Sequence, residues 1–180
     1  MLFRSFHQQA LLDGALDALE SVRKATVNAS PVCVVGLPLR VEGLLYNCAA
    51  VLHRGRILGV IPKTYLPGYR EFYEFRHFTP GDCATDREID VNGVRVPFGT
   101  RLLFAAEDQP LLVFAIEICE DLWTPIPPSS HAALAGATVL LNLSASNITI
   151  GKDGYRRQLV SNQSARCLAA YAYKIGRAHV

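Results

Sequence analysis

Leu12, Leu16, Leu19 and Val22 recur at steps of four and three, which lines one apolar stripe along a helix. Asp13, Asp17 and Glu20 fall off that stripe, on the side a helix turns to water. The pattern predicts a helix over residues 2–28, stopped ahead of Pro31, which disfavours helical geometry in the residue before it. The period then shortens. Apolar runs at 32–37, 45–52 and 57–61 read as buried strands, with Arg54-Gly55 as a tight hairpin between the last two. Asn92-Gly93 is a second hairpin signal, since Asn-Gly accepts positive φ at both turn positions. Further strands are expected at 102–106, 111–116 and 138–143, with another beginning at 171–173. Pro125, Pro127 and Pro128 argue against regular structure. Ser129 or Ser130 then caps a short helix to Ala135, and Asp153 caps a longer one to about Ala170.

Two stretches break the plain core pattern. Residues 66–82, LPGYREFYEFRHFTPGD, interleave Tyr69, Phe72, Tyr73, Phe75 and Phe78 with charges. A loop this rich in rings is expected to fold over the core or over a ligand. Residues 111–123, LLVFAIEICEDLW, run from a buried strand into a single thiol flanked by acids. A core strand needs no acids at its end, so Cys119 reads as a site, against the plainer reading of a small buried hydrophobe.

Three strand ends therefore carry chemistry: Lys63, Cys119, and Ser146 with Asn147. A thiol works as its thiolate, which a neighbouring cation favours, and Lys63 is the cation on offer. A Cys nucleophile with a Lys in reach suggests acyl transfer, the Lys and the Glu120 backbone N–H holding charge on a carbonyl oxygen. Lys63 Nζ and Cys119 Sγ are then expected within a few ångströms of each other. No obvious general base accompanies them. His131 falls in a helix and reads as a surface or packing histidine. Glu74 and Glu117 are the acids that would come into question.

Composition narrows the setting. The chain has 180 residues, 50% of them hydrophobic, enough for one domain with a sizeable core. Its 18 basic and 16 acidic residues leave a net charge of +2, with no basic stripe for nucleic acid. No apolar run reaches the roughly 18 residues of a membrane span, and no secretory signal is evident. Five cysteines without a CxxC pair argue against a zinc site or disulfide framework and for reduced thiols in a cytoplasm.

The segments IPKTYLPGYREFYEFRHFTPGD, EICEDLWTPIPPS and ALAGATVLLNLSASNITIGKDGYRRQL with QSARCLAAYAY resemble the nitrilase (carbon–nitrogen hydrolase) superfamily. Within it they are most similar to the glutaminase domain of the glutamine-dependent NAD synthetases. The resemblance covers most of residues 10–173. It implies an α/β fold of nitrilase type, an α–β–β–α sandwich, incomplete at both ends. It also implies hydrolysis of the glutamine amide by a Glu–Lys–Cys triad. Cys119 matches the nucleophile, Lys63 the triad lysine, and Glu74 a second glutamate that orients the site. Tyr69, Ser146 and Lys152 match positions that bind glutamine. No metal or cofactor is implied for this domain. ATP and magnesium belong to a synthetase domain of the same parent chain, which receives the ammonia, and a homo-oligomer is implied.

Two departures accompany the resemblance. The triad glutamate is expected upstream of the first helix, before Met1, so the chain reads as a fragment without activity of its own. Residues 174–180 read as a non-native tail. The alternatives are a stand-alone nitrilase-type amidase or carbamoylase, and a non-catalytic oligomerisation fragment.

Overall fold

The apolar stripe of the first helix sets the first layer of the fold. In this computed structural model, which describes residues 7–69, 72–84, 87–147 and 149–176, helix α1 spans Gln9–Ala25. Residues 2–6 of the expected helix, Arg70 and Glu71 of the aromatic loop, and 177–180 of the expected tail lie outside the described residues. The chain divides into two compact units, Met1–Thr100 and Arg101–Val180.

The first unit holds α1 and a sheet of five strands, β1 (Cys33–Val41), β2 (Leu44–His53), β3 (Arg56–Pro62), β4 (Arg87–Val91) and β5 (Val94–Phe98). Their order is β1-β2-β3-β5-β4, antiparallel except for the β3–β5 contact. Leu19 is buried, and Leu16 and Val22 pack beside it against Leu37, Tyr46, Cys48, Val60 and Phe98 of the sheet. A fully buried leucine of this kind contributes about 1.5–3 kcal/mol. Leu12 belongs to a second cluster with Leu45 and Phe78. The aromatic loop is thus pinned to the core by Phe78, while Tyr73 and Phe75 stay exposed.

Both expected hairpins form, and a third joins β1 to β2. Arg54-Gly55 and Asn92-Gly93 have φ of 46° and 74°, and 52° and 79°; Glu42-Gly43 repeats the geometry at 48° and 84°. Strand β1 runs through Pro38 to Val41 rather than ending at Leu37. It is the edge strand of the sheet, where a residue without an N–H is tolerated.

The second unit is built on β6 (Phe104–Ala105), β7 (Val113–Ile118), β8 (Val139–Ser144) and β9 (Ala170–Ile175), in that order. Strands β7, β8 and β9 are parallel and β6 is antiparallel to β7. Strand β7 starts at Val113, not at Leu111, because the Leu112 N–H closes a turn onto the Gln109 carbonyl. Helix α2 (Pro128–Leu134) begins at the proline itself. Proline suits the first helical position, where its missing N–H has no partner to lose. Helix α3 (Lys152–Cys167) starts after Gly151, whose φ is 81°. Asp153 therefore lies inside the first turn, paired with Arg157, instead of capping it. Ala115, Ala137, Leu140 and Ala169 are the buried centre of this unit, with Ala132 of α2 and Cys167 of α3 packed against them. Among the described residues, no helix is long and apolar enough to cross a membrane.

Candidate active site

The first unit brings Lys63 and Glu74 together. Strand β3 ends at Pro62, and the Lys63 N–H continues the ladder onto the Asn47 carbonyl at 2.8 Å. Its ammonium meets the Glu74 carboxylate in a charge-assisted hydrogen bond. The two side chains are 3% and 12% exposed. The Asn47 amide donates to the other Glu74 oxygen at 2.6 Å. A buried ammonium is costly unless paired, and Glu74 supplies the pair and aims the lysine. Glu74 itself stands in a 3₁₀ turn, Glu74–Arg76, whose first N–H bonds the Pro67 carbonyl. Tyr69 lies in the same loop, 50% exposed, with its ring edge-on to Phe72.

Gly81 sets how closely the chain folds back on Lys63. Its N–H donates to the Lys63 carbonyl at 2.7 Å. A Cβ there would stand 2.7 Å from that oxygen and 2.8 Å from the Pro62 oxygen, both backbone atoms. Gly81→Ala is expected to cost about 1–3 kcal/mol by forcing this backbone apart, read as a lowered urea midpoint. An unchanged midpoint would show the turn to be loose.

The second unit presents the thiol. Strand β7 stops at Ile118, and Cys119 turns into a 3₁₀ segment, Cys119–Trp123, with φ of 50°. A side-chain-bearing residue in the left-handed region is strained and needs surroundings that hold it. Asn142 on the neighbouring strand supplies them. Its Oδ1 accepts the Cys119 N–H at 3.2 Å, and its Nδ2 reaches the Cys119 carbonyl at 3.5 Å. The Asp121 carboxylate accepts the Ile118 N–H at 2.8 Å and closes the turn from below.

Glu117 supports this clamp rather than adding reactivity. It is buried and accepts from the Ser129 N–H at 2.9 Å, from Asn142 Nδ2 at 3.3 Å, and from the Tyr171 hydroxyl. Burial, and then Glu117 itself, push the Tyr171 phenol above its ordinary range, so it remains a donor. The acids that mark the strand end in the sequence are thus partly spent on backbone. Asn47, Asn142, Ser144 and Tyr173 were missed from sequence. Their one signal was position: Asn142 and Ser144 alternate with Leu141 and Leu143, polar groups on the strand face that should bury carbon.

Around the sulfur, the Ser144 hydroxyl donates to Cys119 Sγ at 3.3 Å. Ser146 is buried, its N–H on Ser144 Oγ at 3.2 Å and its own hydroxyl within 3.4 Å of Arg156 Nη2. Lys152 bonds the Asn147 side-chain oxygen and lies 5.1 Å from the centre of the Trp123 ring. His131 is exposed on α2. Three other thiols, those of Cys48, Cys83 and Cys167, are the less reactive for their surroundings. Burial pushes those of Cys48 and Cys167 up, and burial together with Asp82 does the same at Cys83. Among the described residues, no group of three His, Cys, Asp or Glu side chains could hold a metal ion.

A thiol on a strained turn after a buried parallel strand, with a hydroxyl on its sulfur, suits nucleophilic attack. Comparison with known proteins agrees on the scaffold. No family model matches the chain. Over 166 residues it is 55% identical to a glutamine-dependent NAD(+) synthetase of Mycobacterium tuberculosis, a match covering 92% of this chain and 24% of the relative. The corresponding protein of Aquifex aeolicus is 32% identical over 161 residues, 88% of this chain and 25% of the relative. The crystal structure of a glutamine-dependent NAD(+) synthetase from Cytophaga hutchinsonii superposes with a TM-score of 0.78 at 29% identity, covering 93% of this chain and 26% of that one. The chain is related to one stretch of the glutamine-dependent NAD(+) synthetases. A nitrilase-superfamily amidase from Nesterenkonia shares the fold, with a TM-score of 0.67 at 17% identity, covering 98% of this chain and 60% of that one. The fold is thus the mixed α/β fold of nitrilases. The chain spans about a quarter of the length of the synthetases it matches.

Proposed function

We propose that this nitrilase-fold chain carries the thiol chemistry of a glutamine amidohydrolase. Cys119 attacks the side-chain amide carbon, a C–S bond forms, and the C–N bond breaks. The amide nitrogen takes up the proton that the thiol gives up and leaves as ammonia. Lys63, aimed by its ion pair with Glu74, stabilises the oxygen that becomes anionic on the way. Tyr69, Ser146 and Lys152 bind the amino-acid end of the substrate, which needs polar groups to fix it. The chemistry uses no metal or cofactor. In the parent protein the ammonia serves a synthetase domain that uses ATP and magnesium. The setting is cytoplasmic and the parent a homo-oligomer.

The observation that carries this reading is Cys119 itself, held at φ 50° at the end of β7 with its backbone clamped by Asn142. The 55% identity to NAD(+) synthetases supports glutamine as the amide. The test is a chloroketone analogue of glutamine, which a thiolate alkylates irreversibly. The expected result is one adduct on the Cys119 peptide by mass spectrometry, slowed by glutamine but not by asparagine and absent in Cys119→Ala. Labelling that falls on other cysteines, or that glutamine leaves unchanged, overturns the reading.

A further inference from the structure

We propose that Ser144 and Tyr173 form a two-hydroxyl relay that donates a hydrogen bond to the Cys119 sulfur and holds it for attack; this rests on the reading of Cys119 as the nucleophile. Ser144 closes strand β8 and Tyr173 lies on β9, beside it in the same parallel sheet. Ser144 Oγ is 3.3 Å from Cys119 Sγ and 2.7 Å from Tyr173 Oη.

Hydrogen-bond accounting fixes the direction of the relay. A serine hydroxyl has one proton to give and two lone pairs to receive with. One lone pair takes the Ser146 N–H at 3.2 Å. A thiolate has no proton, so the Ser144 proton must point at Sγ, and the second lone pair is left for the Tyr173 O–H. Tyr173 keeps that proton. Burial pushes its phenol above the ordinary range, against the opposing pull of the Ser144 and Trp123 hydrogen bonds and the Arg156 charge. The hydroxyls thus form a directed line, Tyr173 to Ser144 to Cys119, with its positive end on the sulfur.

The charged and titratable groups of this unit around the relay have other contacts. Arg156 on α3 bonds Ser146 Oγ and the Asn147 carbonyl. Glu117 on β7 is bound by Ser129, Asn142 and Tyr171. Asp121 holds the Ile118 N–H. Ser144 is within hydrogen-bond distance of the sulfur. Ser144 and Tyr173 are therefore positioning residues: they act on the substrate through Cys119.

The test measures chloroketone labelling of Cys119 in the full chain against reagent concentration, which separates the maximal rate from the half-saturating concentration. Ser144→Ala is expected to lower the maximal rate about tenfold, the size of a charge-assisted hydrogen bond, and to leave half-saturation unchanged. Ser144→Thr, which keeps the hydroxyl, restores the rate. Tyr173→Phe shows a smaller loss in the same direction, and the Ser144→Ala/Tyr173→Phe double variant is no slower than Ser144→Ala alone. Tyr173→Phe keeps the ring, so it reports even where Ser144→Ala folds poorly. Labelling of either single variant at the parent rate overturns the relay. Absence of Cys119 labelling in the parent overturns the nucleophile reading instead, so the two failures are distinct.

Discussion

Lys63→Met is expected to lower folding stability by about 3–5 kcal/mol, because it leaves the buried Glu74 carboxylate without its ion-pair partner, with the Asn47 amide still on its other oxygen. Glu74→Gln errs in the other direction, stranding a buried ammonium, and is expected to cost a similar amount. The double variant Lys63→Met/Glu74→Gln removes both charges and should recover most of the loss, since a buried pair is often close to neutral against uncharged side chains of like volume. Labelling of Cys119 separates structure from chemistry. If Lys63 stabilises the developing oxyanion, the double variant regains its urea midpoint yet labels about 10²-fold more slowly than the parent. Recovery of both would show that Lys63 only holds the loop.

The parts of this molecule that could be read from sequence are those where one local rule decides. Residues 12–22 repeat with helical period, and α1 follows from that alone. Asn92-Gly93 and Arg54-Gly55 form the expected turns because glycine accepts the positive φ a two-residue hairpin demands. Glu42-Gly43 carries no such signal, because glutamate is not a usual first turn residue, and the β1–β2 register holds it at φ 48°. Pro38 hid the second half of β1, since its tolerance depends on the strand lying at an edge. The same distinction runs through the site. Lys63, Glu74 and Cys119 stood out as charges and a thiol at strand ends. Their partners Asn47, Asn142 and Ser144 are ordinary polar residues inside strands. Their roles arise from neighbours 27, 23 and 25 residues away in the chain, which no local pattern reveals.

Glutamine itself is expected to give a burst of about one ammonia per chain, followed by release at least about 10²-fold slower than in an enzyme with a placed base, the lower end of what such a base contributes. Acylation and deacylation make different demands. The first needs a thiolate and an oxyanion site. The second needs a carboxylate free to take a proton from water beside the thioester. Three acids near the lysine and the thiol are committed elsewhere. Glu74 holds the Lys63 ammonium and the Asn47 amide. Glu117 is buried, accepting from the Ser129 N–H, Asn142 and Tyr171. Asp121 is buried on the Ile118 N–H. Each would have to give up hydrogen bonds worth about 1.5–3 kcal/mol to charged groups before serving as a base. The measurement is rapid-quench ammonia release followed over many multiples of the burst time, with the acyl adduct on Cys119 observed by intact mass. Steady release of many ammonia molecules per chain would sink this expectation, and its loss in Glu117→Gln but not in Glu74→Gln would identify which carboxylate had been freed.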